Sequence, residues 1–236
     1  MDLPVFYEPA FTMHHTSLSA DSAHHALHVL RMKTGDAFRV TDGCGHLYAC
    51  RFTHLHKQEA GLLCEADLTD PSAPASAALY LAIAFTKNLS RMEWLLEKAT
   101  EIGVHAIIPL RTARSEKHHL RDERMQRILI SAMLQSARTC LPRLYPLTSL
   151  KEALQVPADL RCVAHCREEL IRHPLQKVLE AKKDTLILIG PEGDFTSEEI
   201  DLCLQQNSHS VSLGPHRLRT ETAGLYACVQ FNAIQV

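Results

Sequence analysis

The chain has 236 residues, 46% apolar and 22% charged, with a formal net charge of −2. That balance belongs to a folded globular protein rather than a disordered one, and no apolar run approaches the ~20 residues a membrane-spanning helix needs. The opening stretch Met1 to Phe11 has no basic segment followed by an apolar core, so the expected setting is the cytoplasm, with no membrane partner. Eight cysteines occur and none forms a Cys-x-x-Cys pair, so reduced core thiols are expected rather than disulfides or a metal site.

Residues 1–70 read as a small β-rich domain. A helix is expected from Ser19 to Arg31, capped by Ser19 or Asp21. Short strands follow at Ala37–Thr41, Leu47–Phe52 and Gly61–Glu65, with Asp42-Gly43 marking a turn. Eight of the 15 histidines fall here, and solvated or structural roles account for them in the first instance. The Pro/Ser/Ala stretch over residues 71–78 reads as a linker.

From residue 79 to 236, strand and helix alternate, which predicts an α/β domain with a mainly parallel sheet. Leu79–Phe85 opens it as a buried strand. Ser90-Arg91-Met92-Glu93 has capping-box spacing, and Met92, Leu95, Leu96, Ala99 and Ile102 then follow a helical period to a stop at Gly103. Arg91 and Lys98 share a face away from that stripe. Ala106–Leu110 is the next strand. Residues 111–143 carry eight basic side chains against three acidic ones, the one local basic patch in the chain. A helix from Arg121 to Arg138 is expected to gather Arg124, Arg127 and Arg138 on one face, either solvated or facing a polyanion. Ser149 starts a short helix, Arg161–His165 is a strand, and Glu168–Lys182 is expected to be a helix delayed or kinked at Pro174. Cys162 and Cys166 flank His165, but alternation along a strand sends His165 to the other face, so no metal site follows.

The C-terminal stretch is the most informative. Leu186–Ile189 reads as a strand buried on both faces, ending at Gly190-Pro191. Thr196 to Glu199 is a capping box. Val211-Ser212-Leu213-Gly214-Pro215 repeats the design before a further helix. Two such units imply two backbone-lined loops at one edge of a parallel sheet, the edge where ligands bind. No phosphate-binding Gly-x-x-x-x-Gly-Lys loop, no Gly-x-Gly-x-x-Gly and no Gly-x-Ser-x-Gly elbow is present.

The segments GPEGDFTSEEI (190–200) and LGPHRLRTETAG (213–224) resemble the cofactor-binding end of the RsmE family of 16S rRNA uridine-N3 methyltransferases, in the SPOUT superfamily. TKNLSRMEWLLEKATEIGV (86–104) is similar throughout, and HHALHVLRMKTGD (24–36) with DGCGHLY (42–48) resembles that family's PUA-like N-terminal barrel. The resemblance implies a C-terminal trefoil knot at about residues 185–229, S-adenosylmethionine as cofactor and a homodimer. Its implied partner is the 16S rRNA of the small ribosomal subunit, and no metal is implied. It implies cofactor contacts at Ile189, Gly190, Pro191, Glu192, Gly193, Leu213, Gly214, Leu218, Arg219, Thr220, Thr222 and Ala223. Candidate RNA contacts are His25, Arg31, Lys33, Arg91, Lys98, Arg114, Arg124, Arg127, Gln135 and Arg138. Where relatives read Glu-Gln-x-Gly-Arg, this chain has Leu134 and Ala137 in place of the Glu and Gly, and Asp194 replaces a common Gly.

Uridine N3 carries a proton near neutral pH, so a site acting on it needs a base or a cation that steadies the developing anion. Arg219 and Glu221 are the candidate catalytic pair; an Arg219–Glu221 ion pair bracing the loop is the alternative. Another rRNA or tRNA target, and a non-catalytic RNA-binding factor on the same fold, remain open from the sequence.

Overall fold

The computed structural model describes residues 3–56, 59–70, 77–115 and 122–235. The expected linker residues 71–76, and Glu116, Lys117 and Arg121 of the basic stretch, lie outside them. The chain divides into two compact units, Met1–Pro74 with Met133–Leu141, and Ala75–Ala132 with Pro142–Val236.

In the first unit, β1 (Val5–Tyr7) lies parallel to β2 (Ala37–Thr41), which continues antiparallel through β3 (Leu47–His56) to β4 (Glu59–Asp67). Residues 16–18 run along the far edge of β4, through Leu18 N–H to the Ala60 carbonyl and Leu62 N–H to the Thr16 carbonyl. Alternation drives the inward set, Phe38, Val40, Tyr48, Cys50, Phe52 and Leu62, into one core. Phe38 and Phe52 stack at 4.1 Å, and Phe6 meets Phe38 edge-on at 5.4 Å.

The expected helix from Ser19 is shorter than its periodicity suggests and ends in a wider turn. Ser19 does cap α1 (Ala20–His24), taking the Ser22 N–H at 3.3 Å. The chain then widens into a π-helical turn, His25–Val29, closed by Leu30 N–H to the His25 carbonyl. Arg31, with φ +56°, has left the helix.

The second unit is built on a parallel sheet: β5 (Leu79–Ala84), β6 (Ala106–Arg111), β7 (Arg143–Leu144), β8 (Thr148–Ser149), β9 (Leu160–Ala164), β10 (His173–Pro174), β11 (Thr185–Ile189) and β12 (His209–Ser212). Its path runs β10-β12-β9-β11-β5-β6-β7, with β8 also on β6. All five residues of β11 are buried, as a strand between two parallel neighbours requires. Between the strands lie α2 (Leu89–Ile102), α3 (Asp122–Gln135), α4 (Leu150–Ala153), α5 (Leu175–Val178) and α6 (Ser197–Gln205), and α7 (Thr220–Ala233) follows the last strand.

Three local expectations are corrected. The cap of α2 is Asn88, whose side chain takes the Arg91 N–H, and not Ser90, because Glu93 is spent on Arg124 instead of closing a box. The stop at Gly103 is as read, with φ +102°. No helix spans Glu168–Lys182: His173-Pro174 pairs with β12, and Pro174 caps a single four-residue turn. Finally α3 ends at Gln135, and Ala137 turns left-handed at φ +54° before Arg138. Arg138 therefore does not share a helix face with Arg124 and Arg127.

Gly224 lets α7 settle on the sheet. A Cβ there would sit 2.6 Å from Ile83 Cδ1 and 3.4 Å from Leu95 Cδ1, both on buried residues. The helix packs against α2, β5 and β11.

Candidate functional site

β9, β11 and β12 are neighbours in the sheet and parallel, so their C-terminal ends open on one edge. The loops that follow them line a cleft of about 1100 Å³. Ile189, Gly190, Pro191, Glu192 and Gly193 come from the β11 loop; Leu213, Gly214, Leu218, Arg219, Thr220 and Ala223 come from the β12 loop and the start of α7. Eleven of the twelve expected cofactor contacts thus share one wall. Thr222 is the exception, and it lines a second cleft of about 410 Å³ with Asn88, Ser90, Arg91, Trp94, Arg219 and Glu221. Arg91 and Arg219 line both.

The two C-terminal loops are tied to each other and to a third. Thr220 Oγ1 donates to the Gly190 carbonyl at 3.3 Å. Gly190 is tight for a reason: a Cβ would meet the Phe195 backbone nitrogen at 3.1 Å. Gly214 takes φ +125° with nothing within 4 Å of a Cβ, open backbone facing the cleft. Asp194, at φ +61°, is not the helix cap; Thr196 is. Its carboxylate instead accepts Phe195 N–H at 2.8 Å and Cys166 N–H at 2.7 Å, clasping the β11 loop to the β9 loop.

The β9 loop is the part that sequence reasoning missed. His165 lies past the end of β9 and is 5% exposed. Its Nδ1 accepts the Arg167 N–H at 3.1 Å, which leaves Nε2 to donate to Ser210 Oγ at 2.7 Å. One neutral tautomer is thereby fixed, and burial pushes the imidazole below its ordinary range. Arg172 donates to the His165 carbonyl at 2.9 Å, and Arg167 reaches Glu169 and Asp201. Cys166 is exposed in this loop, against the expectation of a core thiol.

Glu221 is 6% exposed on the first turn of α7. Its ion pair is with Arg91, whose Nε lies 3.7 Å from Oε1; Glu221 Oε2 has no hydrogen-bond partner among the described residues. Arg91 also stands 3.8 Å from Glu192. The Arg219–Glu221 ion pair considered from the sequence does not form; Arg219 is exposed, lines both clefts and makes no ion pair among the described residues.

The candidate RNA contacts are scattered. Arg114 donates to the Gly193 carbonyl, inside the cleft. Arg124 makes a two-point contact with Glu93 at 2.6 and 2.8 Å, Arg127 sits 3.5 Å from Glu123, and Lys98 is held between Glu97 and Glu101. His25, Arg31, Lys33 and Gln135 are exposed, Arg138 half-buried. Arg217, which the sequence reading did not single out, is exposed at the cleft without an ion pair among the described residues.

Residues 73–232 match the family described as an RNA methyltransferase domain, and residues 18–61 match an RNA methyltransferase PUA domain. Over 224 residues the chain is 30% identical to the ribosomal RNA small subunit methyltransferase E of Bacillus subtilis, covering 89% of this chain and 87% of that protein. The crystal structure of a probable rRNA-methyltransferase from Porphyromonas gingivalis superposes with a TM-score of 0.91 at 36% identity, over 99% of this chain and 98% of that one. A ribosomal RNA small subunit methyltransferase E from Neisseria gonorrhoeae, solved bound to S-adenosyl methionine, has a TM-score of 0.81 at 28% identity, covering 98% and 97%.

Proposed function

The chain belongs to the RNA methyltransferase family, and from that premise we propose that it methylates small-subunit ribosomal RNA from S-adenosylmethionine, at N3 of a uridine in the 16S molecule. The observation that carries this reading is the cleft: three loops from adjacent parallel strands, rich in main-chain donors, meeting a second cleft that holds a buried carboxylate. The residues present suit the cofactor. Ile189, Leu213, Leu218 and Ala223 offer apolar surface for an adenine ring, and Gly190, Gly193 and Gly214 offer backbone that a side chain would otherwise cover.

When bound, S-adenosylmethionine supplies a methyl group on a sulfonium, whose departure needs no acid. The protein's work is therefore positioning and deprotonation. Glu221 Oε2, buried and unpartnered, is the base for the N3 proton, and Arg91 holds the carboxylate in place from the other side. Arg219, exposed and lining both clefts, stabilises charge that spreads to the uracil oxygens. Trp94, 43% exposed on the wall of the second cleft, offers a face for the base to stack on.

Two further features belong to this reading. The 185–229 segment forms a trefoil knot; its support is the family resemblance together with β11 and β12 flanking β9 while α7 returns to β5. The protein acts as a homodimer. Of the apolar side chains along α7, Ala223 and Phe231 are buried within the chain and Leu225 is half-buried, while Tyr226 and Val229 remain 42% and 47% exposed and are the ones left to meet a second copy. Light scattering at micromolar concentration that gave a monomer with full activity would remove the dimer.

The function is tested by incubating the protein with S-adenosylmethionine and unmodified small ribosomal subunits, then mapping methylated nucleotides by mass. A single N3-methyluridine in 16S rRNA is expected. Methylation of another base, or none, overturns the assignment.

A further inference from the structure

The first unit carries a cysteine pair that the reaction does not use. Cys44 sits at the tip of the turn Asp42-Gly43-Cys44-Gly45, and it forms an antiparallel bridge with Cys140. The bonds around that bridge are Gly45 N–H to the Thr139 carbonyl at 3.0 Å and Leu141 N–H to the Gly43 carbonyl at 2.8 Å. Because the flanking residues make the hydrogen bonds, Cys44 and Cys140 are a non-hydrogen-bonded pair. Such pairs bring opposite Cα atoms to about 4.5 Å, inside the roughly 4.4–6.8 Å that a disulfide requires. The Cys140 side chain points at the turn: a Cβ on Gly45 would meet its Sγ at 3.5 Å. Both thiols are free and exposed.

The turn is held ready. The Asp42 carboxylate accepts the N–H groups of Cys44 at 2.7 Å and His46 at 3.3 Å, and pairs with His46 Nδ1 at 2.6 Å. Thr41 Oγ1 also donates to the Thr139 carbonyl at 3.1 Å, so the strap around Cys140 is fastened on both sides of the pair. A second opposed pair, Cys50 and Cys64, offers a contrast. Cys50 is fully buried and its thiol is pushed up to about 12 by burial and by Cys64, which leaves almost no thiolate to attack anything. Cys166 is exposed but pairs across no strand with another cysteine among the described residues.

We propose that Cys44 and Cys140 are a redox-modification site, closing a disulfide that fastens the strap at residues 139–141 to the turn at 42–46. With glutathione disulfide as oxidant, one protein thiolate attacks a glutathione sulfur, forming a mixed disulfide and releasing one reduced glutathione. The second protein thiolate then attacks the protein sulfur and releases the other. Two protein thiols lose two electrons and two protons, and one glutathione disulfide becomes two thiols. In a reducing compartment the pair rests as the dithiol and closes under oxidative load.

The test equilibrates the whole native protein in glutathione buffers of rising oxidised fraction, alkylates the remaining thiols and maps the digest by mass. Expected is a linked peptide pair joining Cys44 to Cys140, two hydrogens lighter than the reduced pair, at monomeric mass. Cys44→Ser and Cys140→Ser, both surface changes, should each abolish it. The proposal is overturned if both residues stay alkylatable at every ratio, if each carries its own glutathione, or if either links elsewhere or Cys50 links to Cys64 instead. The oxidised protein should also melt higher than the reduced one and return on reduction, since the bond closes a long loop. Melting no higher after oxidation would show that the bond forms only by distorting the turn, which sinks the preformed geometry.

Discussion

The Arg91 guanidinium stands 3.7 Å from the Glu221 carboxylate, across the packed pair of helices α2 and α7. That single relationship holds one carboxylate oxygen and leaves the other, Oε2, buried without a hydrogen-bond partner among the described residues. An unsatisfied buried oxygen costs stability unless something visits it. The proposed visitor is the N3–H of the target uracil.

Glu221→Gln keeps the shape and removes the base. Its turnover defect should therefore shrink as pH rises towards the uracil's own ionisation, with cofactor binding little changed. If Glu221 only braces the helices through Arg91, the variant should melt lower and show no such alkaline rescue. Rate against pH beside a thermal melt separates the two. Arg219→Gln should lose about 10²–10³ in rate, as removal of a comparable oxyanion donor does.

His165 gives a pH dependence of known sign. Burial lowers its folded-state pKa from the ordinary 6.5, so the folded protein favours neutral imidazole. The stabilisation is complete above about pH 6.5 and is lost as pH falls below it, because the unfolded chain takes up the proton first. Protonation would also place a hydrogen on Nδ1, against the Arg167 N–H that it accepts. Melting temperature should fall between pH 7.5 and 5.5, and His165→Gln should flatten that fall; an unchanged slope would remove His165 as its source.

Capping distinguishes two residues that the sequence treats alike. Asn88→Ala should cost about 1 kcal/mol by releasing the Arg91 N–H, while Ser90→Ala should be nearly neutral in urea unfolding. The reverse order would restore Ser90 as the cap.

The C-terminal loops were legible because their signals are local. An apolar β-branched run stopped by Gly190-Pro191, and a Thr196–Glu199 box, each fix a few residues by sterics and hydrogen bonding alone. Glu168–Lys182 misled because its residues favour helix, whereas pairing of His173-Pro174 with β12 decides the segment from outside it. The π-helical turn after His24 and the left-handed turn at Ala137 likewise break patterns that periodicity continues. Arg91 and Glu221 are 130 positions apart, and no spacing rule brings them together; only the seating of α7, through Gly224, does.

RNA affinity should depend on which arginines are free. Arg124 is held by Glu93 at two points, so contacting a phosphate would first break that pair and expose a carboxylate to the same polyanion. Arg217 has no such partner among the described residues and lies exposed at the cleft. Binding to small-subunit RNA releases counterions in proportion to the phosphates neutralised. Arg217→Gln should therefore weaken binding and reduce the slope of log affinity against log salt by about 1, while Arg217→Lys keeps the slope. Arg124→Gln should change it less, since part of its charge is already spent within the fold. Filter binding or anisotropy over a salt series measures all three. Equal slopes for Arg217→Gln and the unaltered protein would exclude Arg217 from the phosphate contacts, and a larger loss at Arg124 would mean that the Glu93 pair opens on RNA.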